Sequence, residues 1–176
     1  MKYAIILLLA ATFSSLVMSN DANHYNFKET TTCKETGDNP NQAAVTSTCG
    51  NIGRYSVELA QVLPDIQVIS LLRKDIKILS WFHTVTKELP FILDFPIYWL
   101  VEQNEPRYLL TKLNIGSEEA NFDYQPHLVV SRVQKDKICP ILTLSTLDIN
   151  EAKQYMLEKA ETQLAQLPCL KPVNEQ

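Results

Sequence analysis

Glycine is scarce in this chain, four among 176 residues, and the four are too scattered to wrap a phosphate. Neither a P-loop nor a G-x-G-x-x-G turn occurs. Also missing are G-x-S-x-G and H-E-x-x-H, which weakens a hydrolase or zinc-protease reading without closing it, because a Ser-His-Asp site can assemble from distant positions. No C-x-x-C pair exists, so the four cysteines lack the spacing of a zinc knuckle or a dithiol redox site. No Asp/Asn loop has calcium spacing. No N-x-S/T sequon, internal repeat or low-complexity tract is present. Clustered Lys and Arg are absent as well, and with 16 basic against 20 acidic residues the chain has no footing for a nucleic-acid groove or an anionic-lipid patch.

One apolar run stands out. Lys2 precedes Ala4 through Ala11, and smaller residues lead to Val17, Met18 and Ser19. A charged start, a short greasy middle and a small-residue exit form the pattern of a secretory signal peptide over residues 1–19. Thr12, Ser14 and Ser15 interrupt the run well short of the ~20 apolar residues a membrane-spanning helix needs. Val17 and Ser19 fit the minus-three and minus-one positions of a cleavage site, which puts the cut before Asn20. The expected product is a secreted or periplasmic protein with no stable membrane anchor, slightly more acidic than the full chain because Lys2 is lost.

Cys33, Cys49, Cys139 and Cys169 all follow that cut, and an even count in an exported chain reads as two disulfides. Three connectivities are possible. The sequential one, Cys33 to Cys49 and Cys139 to Cys169, lets each half of the chain staple itself, for about 3–4 kcal/mol per loop on the chain-entropy model.

Along the rest of the chain the patterning predicts an α+β fold. Residues 20–50 are polar and read as an irregular leader; residues 51–176 read as one domain. Ile52, Tyr55, Leu59 and Val62 recur at helical spacing, as do Ile66, Ile69 and Leu72, so two N-terminal helices are expected over 52–63 and 65–74. The Ile76 to Val85 segment, rich in Trp, Phe, Val and Thr, leans to strand. Prolines 90 and 96 make 89–96 an apolar connection. A hairpin is expected over 97–115 around Asn104-Glu105-Pro106, and a second over 127–147, with Pro140 on an edge strand or at a bulge. Asp148, three residues before Glu151, marks the start of a long C-terminal helix ended by Pro168. The sum is an antiparallel sheet of four or five strands in two hairpins, packed by N-terminal helices and a long C-terminal helix, with two disulfides.

For chemistry, His24 reads as solvated, while His83 and His127 are the imidazoles to weigh, with Asp94 between Leu93 and Phe95 as the carboxylate most exposed to apolar neighbours. Glu102 and Glu105 read as ordinary charges beside a turn. The aromatics Trp81, Phe82, Phe91, Phe95, Tyr98 and Trp99 read as core. No catalytic, metal or cofactor residue is assigned. The function expected is a non-enzymatic binding, inhibitor or effector-like module for an unknown protein or an extracellular or envelope ligand. A small secreted hydrolase using a His and a carboxylate, and a structural envelope component, are the alternatives. N-terminal sequencing of the protein collected outside the cytoplasm is expected to begin at Asn20, with no free thiol before reduction; an intact Met1 with four free thiols would contradict the export reading.

Overall fold

The structure, a computed structural model, describes residues 24–38, 45–53, 55–63, 66–73, 76–79, 85, 91–116, 124–135 and 137–171. The expected signal peptide and His83 lie outside them. Ten strands run in order as β1 (Tyr25–Thr30), β2 (Cys33–Asp38), β3 (Val45–Ile52), β4 (Tyr55–Leu63), β5 (Ile66–Arg73), β6 (Ile76–Leu79), β7 (Phe91–Glu102), β8 (Glu105–Gly116), β9 (Tyr124–Val133) and β10 (Ile138–Leu144). Two short helices follow, α1 (Ile149–Lys159) and α2 (Gln163–Gln166). Among the described residues pairing is antiparallel except for one parallel contact of β5 with β7 at Ile66 and Phe91. The strands lie in the order β10-β9-β8-β7-β5-β4-β3-β2, with β1 on β7 and β6 on β5.

Two features that the sequence predicts are present. The β7–β8 hairpin forms, but it turns on Gln103 and Asn104, both at positive φ (49° and 65°), rather than on Asn104-Glu105-Pro106, because Glu105 and Pro106 already belong to β8; this is the backbone of a two-residue turn whose twist matches the strands. In the second hairpin, β10 is the end strand and its register shifts between Pro140 and Leu142, as a residue without an amide hydrogen requires.

The α+β expectation is overturned. Residues 55–63 and 66–73 are not helices but β4 and β5, paired from Tyr55 with Arg73 to Leu63 with Ile66, with one register shift between Gln61 and Leu63. Their apolar residues fit a two-residue period as well as a helical one, since Tyr55, Val57 and Leu59 alternate with Ser56, Glu58 and Ala60. β-Branched Ile66, Val68 and Ile69 favour the pleated surface. Neighbouring strands settled what periodicity left open. The described residues of the leader are not irregular either: they supply β1, β2 and most of β3, and Cys33 lies directly opposite Cys49. Of the expected 89–96 connection, residues 91–96 form instead the first half of β7, which carries Pro96 across a register break between Asp94 and Tyr98. Among the described residues the strands therefore number ten rather than four or five.

The long C-terminal helix is also absent. It starts where expected, with the Asp148 carboxylate accepting from the Asn150 and Glu151 amides at 2.7 and 3.1 Å. Glu151 does not close a reciprocal box, because Thr146 stands between. Its hydroxyl donates to Glu151 at 2.7 Å and accepts from the Asp148 amide at 3.0 Å. The helix stops at Lys159. The Ala160 carbonyl, which a continuing helix would offer to the amide four residues on, accepts instead from the Tyr108 hydroxyl at 2.8 Å.

Side-chain alternation gives the central strands two buried faces. On one, Ile97, Trp99, Val101, Leu109, Leu113 and Val129 pack with Cys49, Ile52 and Tyr55 from β3 and β4. On the other, Leu100, Leu110, Leu128 and Val130 pack under Ala152, Met156, Ala160 and Leu164 from the helices. Gly53, at φ +59°, joins the two hairpin tips: a Cβ there would stand 2.2 Å from the Asn104 carbonyl oxygen. Among the six aromatics expected in the core, Trp99 is fully buried and Phe91, Phe95 and Tyr98 pack at its margins; Trp81 and Phe82 lie outside the described residues.

The Trp99 indole donates to the Thr30 hydroxyl at 3.0 Å, both side chains being buried. Thr30→Val keeps the shape and leaves the indole N–H unpaired, so a loss of about 1–3 kcal/mol is expected, read as a lower urea midpoint at unchanged slope. An unchanged midpoint would mean that the N–H finds another acceptor.

Candidate functional site

A cleft of about 400 Å³ opens where β1, the β7–β8 turn and the end of α1 meet, and it concentrates polar side chains. Strand register builds it. Tyr25 on β1 lies opposite Glu102 on β7, and Tyr108 on β8 lies opposite Arg132 on β9, so each pair shares a face of the sheet. Arg107 folds back along the turn and donates from Nε and Nη2 to one Glu102 oxygen, at 2.7 and 2.6 Å. Glu161, just beyond α1, forms the opposite wall with Ala160 and Ala165.

Arg132 is the anchor of this region. Its Nη2 donates to the Leu164 carbonyl at 2.8 Å and to the Leu167 carbonyl, satisfying acceptors that the end of α2 leaves without helical partners. Its Nε is buried with no hydrogen-bond partner among the described residues.

Burial raises the pKa of the Tyr25 phenol, and the negative charges of Glu102 and Glu161 push the same way, with Arg107 opposing. Burial also raises that of Tyr108, against the charge and hydrogen bond of Arg132. Both hydroxyls therefore remain protonated at neutral pH. Tyr108 spends its hydrogen on Ala160, while Tyr25 stands at the cleft as a donor.

A second hollow, about 500 Å³, lies beside the first between Phe27 and α1, walled by Lys153, Leu157 and Glu158. Lys153 crosses from the helix to β1. Its ammonium is 2.9 Å from Glu29 and sits over the Tyr98 and Phe27 rings at 3.8 and 5.6 Å. Ion pair and cation–π contacts together hold α1 along β1.

The residues weighed from sequence are dispersed. His24 is exposed ahead of β1. His127 sits half-buried on β9 opposite Leu113, on the face covered by β3 and β4. Asp94 pairs with Lys112 at 2.8 Å, on the other face, since Lys112 lies opposite Leu128 of the helix-covered cluster. The sheet thus separates this carboxylate from this imidazole. Glu102 is a wall of the cleft rather than a free charge; Glu105 lies opposite it in the hairpin. The four cysteines form Cys33–Cys49 and Cys139–Cys169. Among the described residues no group of three or more His, Cys, Asp or Glu is placed to hold a metal ion.

Sequence reasoning missed Tyr25, Arg107, Tyr108, Arg132 and Glu161. The available signal was Arg132, the one long charged side chain in the apolar stretch from Leu128 to Val133. Comparisons with protein families, with characterised proteins and with solved structures find nothing that matches this chain.

Arg132→Met is expected to cost about 1.5–3 kcal/mol, the range for hydrogen bonds to a charged group, whereas Arg107→Ala at the exposed rim should cost at most about 1 kcal/mol. Parallel denaturant titrations distinguish them; equal losses would show that the Arg132 contacts exchange freely with water.

Proposed function

We propose that this chain is an exported, disulfide-stabilised binding protein whose ligand occupies the cleft between β1 and the end of α1. The observation that carries the reading is the convergence of the Tyr25 hydroxyl, the Arg107–Glu102 pair and Glu161 around one open concavity, on strands held rigid by burial beneath them. Few precisely placed polar groups in a preformed hollow are the usual makings of a binding site. Two disulfides support an oxidising, extracellular-type destination, and the charged-then-apolar start of the chain supports export through a cleaved signal. No helix among the described residues is long and apolar enough to cross a membrane. A hydrolase built on Asp94 and His127 gains no support, because the two lie on opposite faces of the sheet.

Ala165 is exposed and lines the cleft, so Ala165→Trp fills the mouth without entering the core. Affinity capture from the fluid into which the protein is exported is expected to retain a specific molecule on the wild type and at least tenfold less of it on Ala165→Trp, with both proteins melting alike. Equal retention by the two would place binding elsewhere, and no retention by either would count against a binding role.

A further inference from the structure

We propose that the ligand is a neutral carbohydrate, held through its vicinal hydroxyls across the end of the sheet by Tyr25, Glu102, Arg107 and Glu161. This rests on the binding reading above and gives its ligand class.

Strand register lays the site out crosswise. Tyr25 of β1 lies opposite Glu102 of β7, Leu100 of β7 lies opposite Tyr108 of β8, and Tyr108 lies opposite Arg132 of β9. The cleft therefore crosses four adjacent strands, a width of about 14 Å at roughly 4.8 Å per strand. Ala160, Glu161 and Ala165 wall it from the helix side. A span of that length is more than a single ion needs and suits linked sugar rings.

Charge argues against an ionic ligand. The lining carries two cations, Arg107 and Arg132, and two anions, Glu102 and Glu161, so an anion or a cation entering the cleft meets repulsion along with attraction. A neutral ligand meets no net penalty.

The hydrogen-bonding groups left over narrow the class further. Tyr108 and Arg132 are spent on the carbonyls of Ala160, Leu164 and Leu167. Both Arg107 bonds fall on Glu102 Oε2, so Glu102 Oε1, the Glu161 carboxylate and the Tyr25 hydroxyl have no hydrogen-bond partner among the described residues. Carboxylate oxygens only accept, a guanidinium only donates, and a phenol does both. Burial, the largest cause, raises the Tyr25 pKa, which keeps that phenol a donor at neutral pH. A ligand that satisfies this mixture must donate and accept at neighbouring positions, as adjacent hydroxyls do. The aliphatic members of the lining, Val133, Ala160 and Ala165, are too small to form a recess for a large apolar side chain. With the tyrosine rings they offer low apolar surface to the C–H faces of a sugar.

The test uses the full-length, disulfide-bonded protein. It is screened on an array of neutral glucose, galactose, mannose and N-acetylglucosamine oligomers, with sulfated glycans, sialylated glycans and linear peptides printed alongside. The neutral glycan bound best is titrated by calorimetry against wild type and Tyr25→Phe/Glu161→Gln. The two proteins should melt alike, because the Tyr25 hydroxyl has no partner to lose and Glu161 is exposed. Binding of a neutral glycan is expected, at least tenfold weaker for the double variant, as two lost hydrogen bonds imply. It should hold steady as salt rises from about 0.05 to about 0.5 M. Periodate, which cleaves vicinal diols, should destroy the glycan's affinity. The proposal fails if no neutral glycan binds, if only the charged glycans or peptides are retained, if the double variant binds equally well, or if salt abolishes binding. It also fails if periodate leaves the affinity intact. A molecule captured in the Ala165→Trp comparison that is not a carbohydrate would sink the sugar class alone and leave the cleft as a binding site.

Discussion

Burial of β8 and β9 on both faces is the constraint on which the rest of the architecture depends. Leu109, Leu110, Leu113, Leu128, Val129 and Val130 are all fully removed from solvent, so each face of the central strands needs a cover of its own. At roughly 1.5–3 kcal/mol per buried aliphatic side chain, leaving either face wet would forfeit an amount comparable to the whole stability of a typical domain. The first half of the chain supplies one cover through β3 and β4, and the C-terminal helices supply the other. The adjacent buried apolar residues Leu109-Leu110 of β8 and Leu128-Val129-Val130 of β9 follow from this arrangement, since a strand with only one buried face would alternate.

The two disulfides act on the two covers separately. Cys33–Cys49 joins directly opposed residues of β2 and β3 and so closes a hairpin poor in large apolar side chains. Cys139–Cys169 ties the segment after α2 to β10. There the Leu170 amide donates to the Pro140 carbonyl at 2.8 Å, laying the tail along an edge that would otherwise invite strand pairing.

Polar side chains that hold the helices also shape the cleft. Tyr108 takes the Ala160 carbonyl and Arg132 takes those of Leu164 and Leu167, which breaks the helix into two pieces and turns the second across the end of the sheet. The same break brings Ala160, Glu161 and Ala165 over Tyr25 and the Arg107–Glu102 pair. Helix termination and site formation are therefore one event, carried by hydrogen bonds between residues far apart in sequence.

The sequence by itself determined what local chemistry can specify: two hairpins in the second half, the Asp148 helix start, the irregularity at Pro140, and a cysteine set whose pairing joins near neighbours. Each depends on residues close together along the chain. Only the tertiary structure decided that 55–63 and 66–73 are strands, because their apolar residues fit both periods and pairing with neighbouring strands broke the tie. It also decided where the last helix stops, since Tyr108 lies 52 positions before the carbonyl it captures. The cleft belongs to the same class: Tyr25, Glu102, Arg132 and Glu161 have no common motif, and strand register together with the helix break brings them to one place.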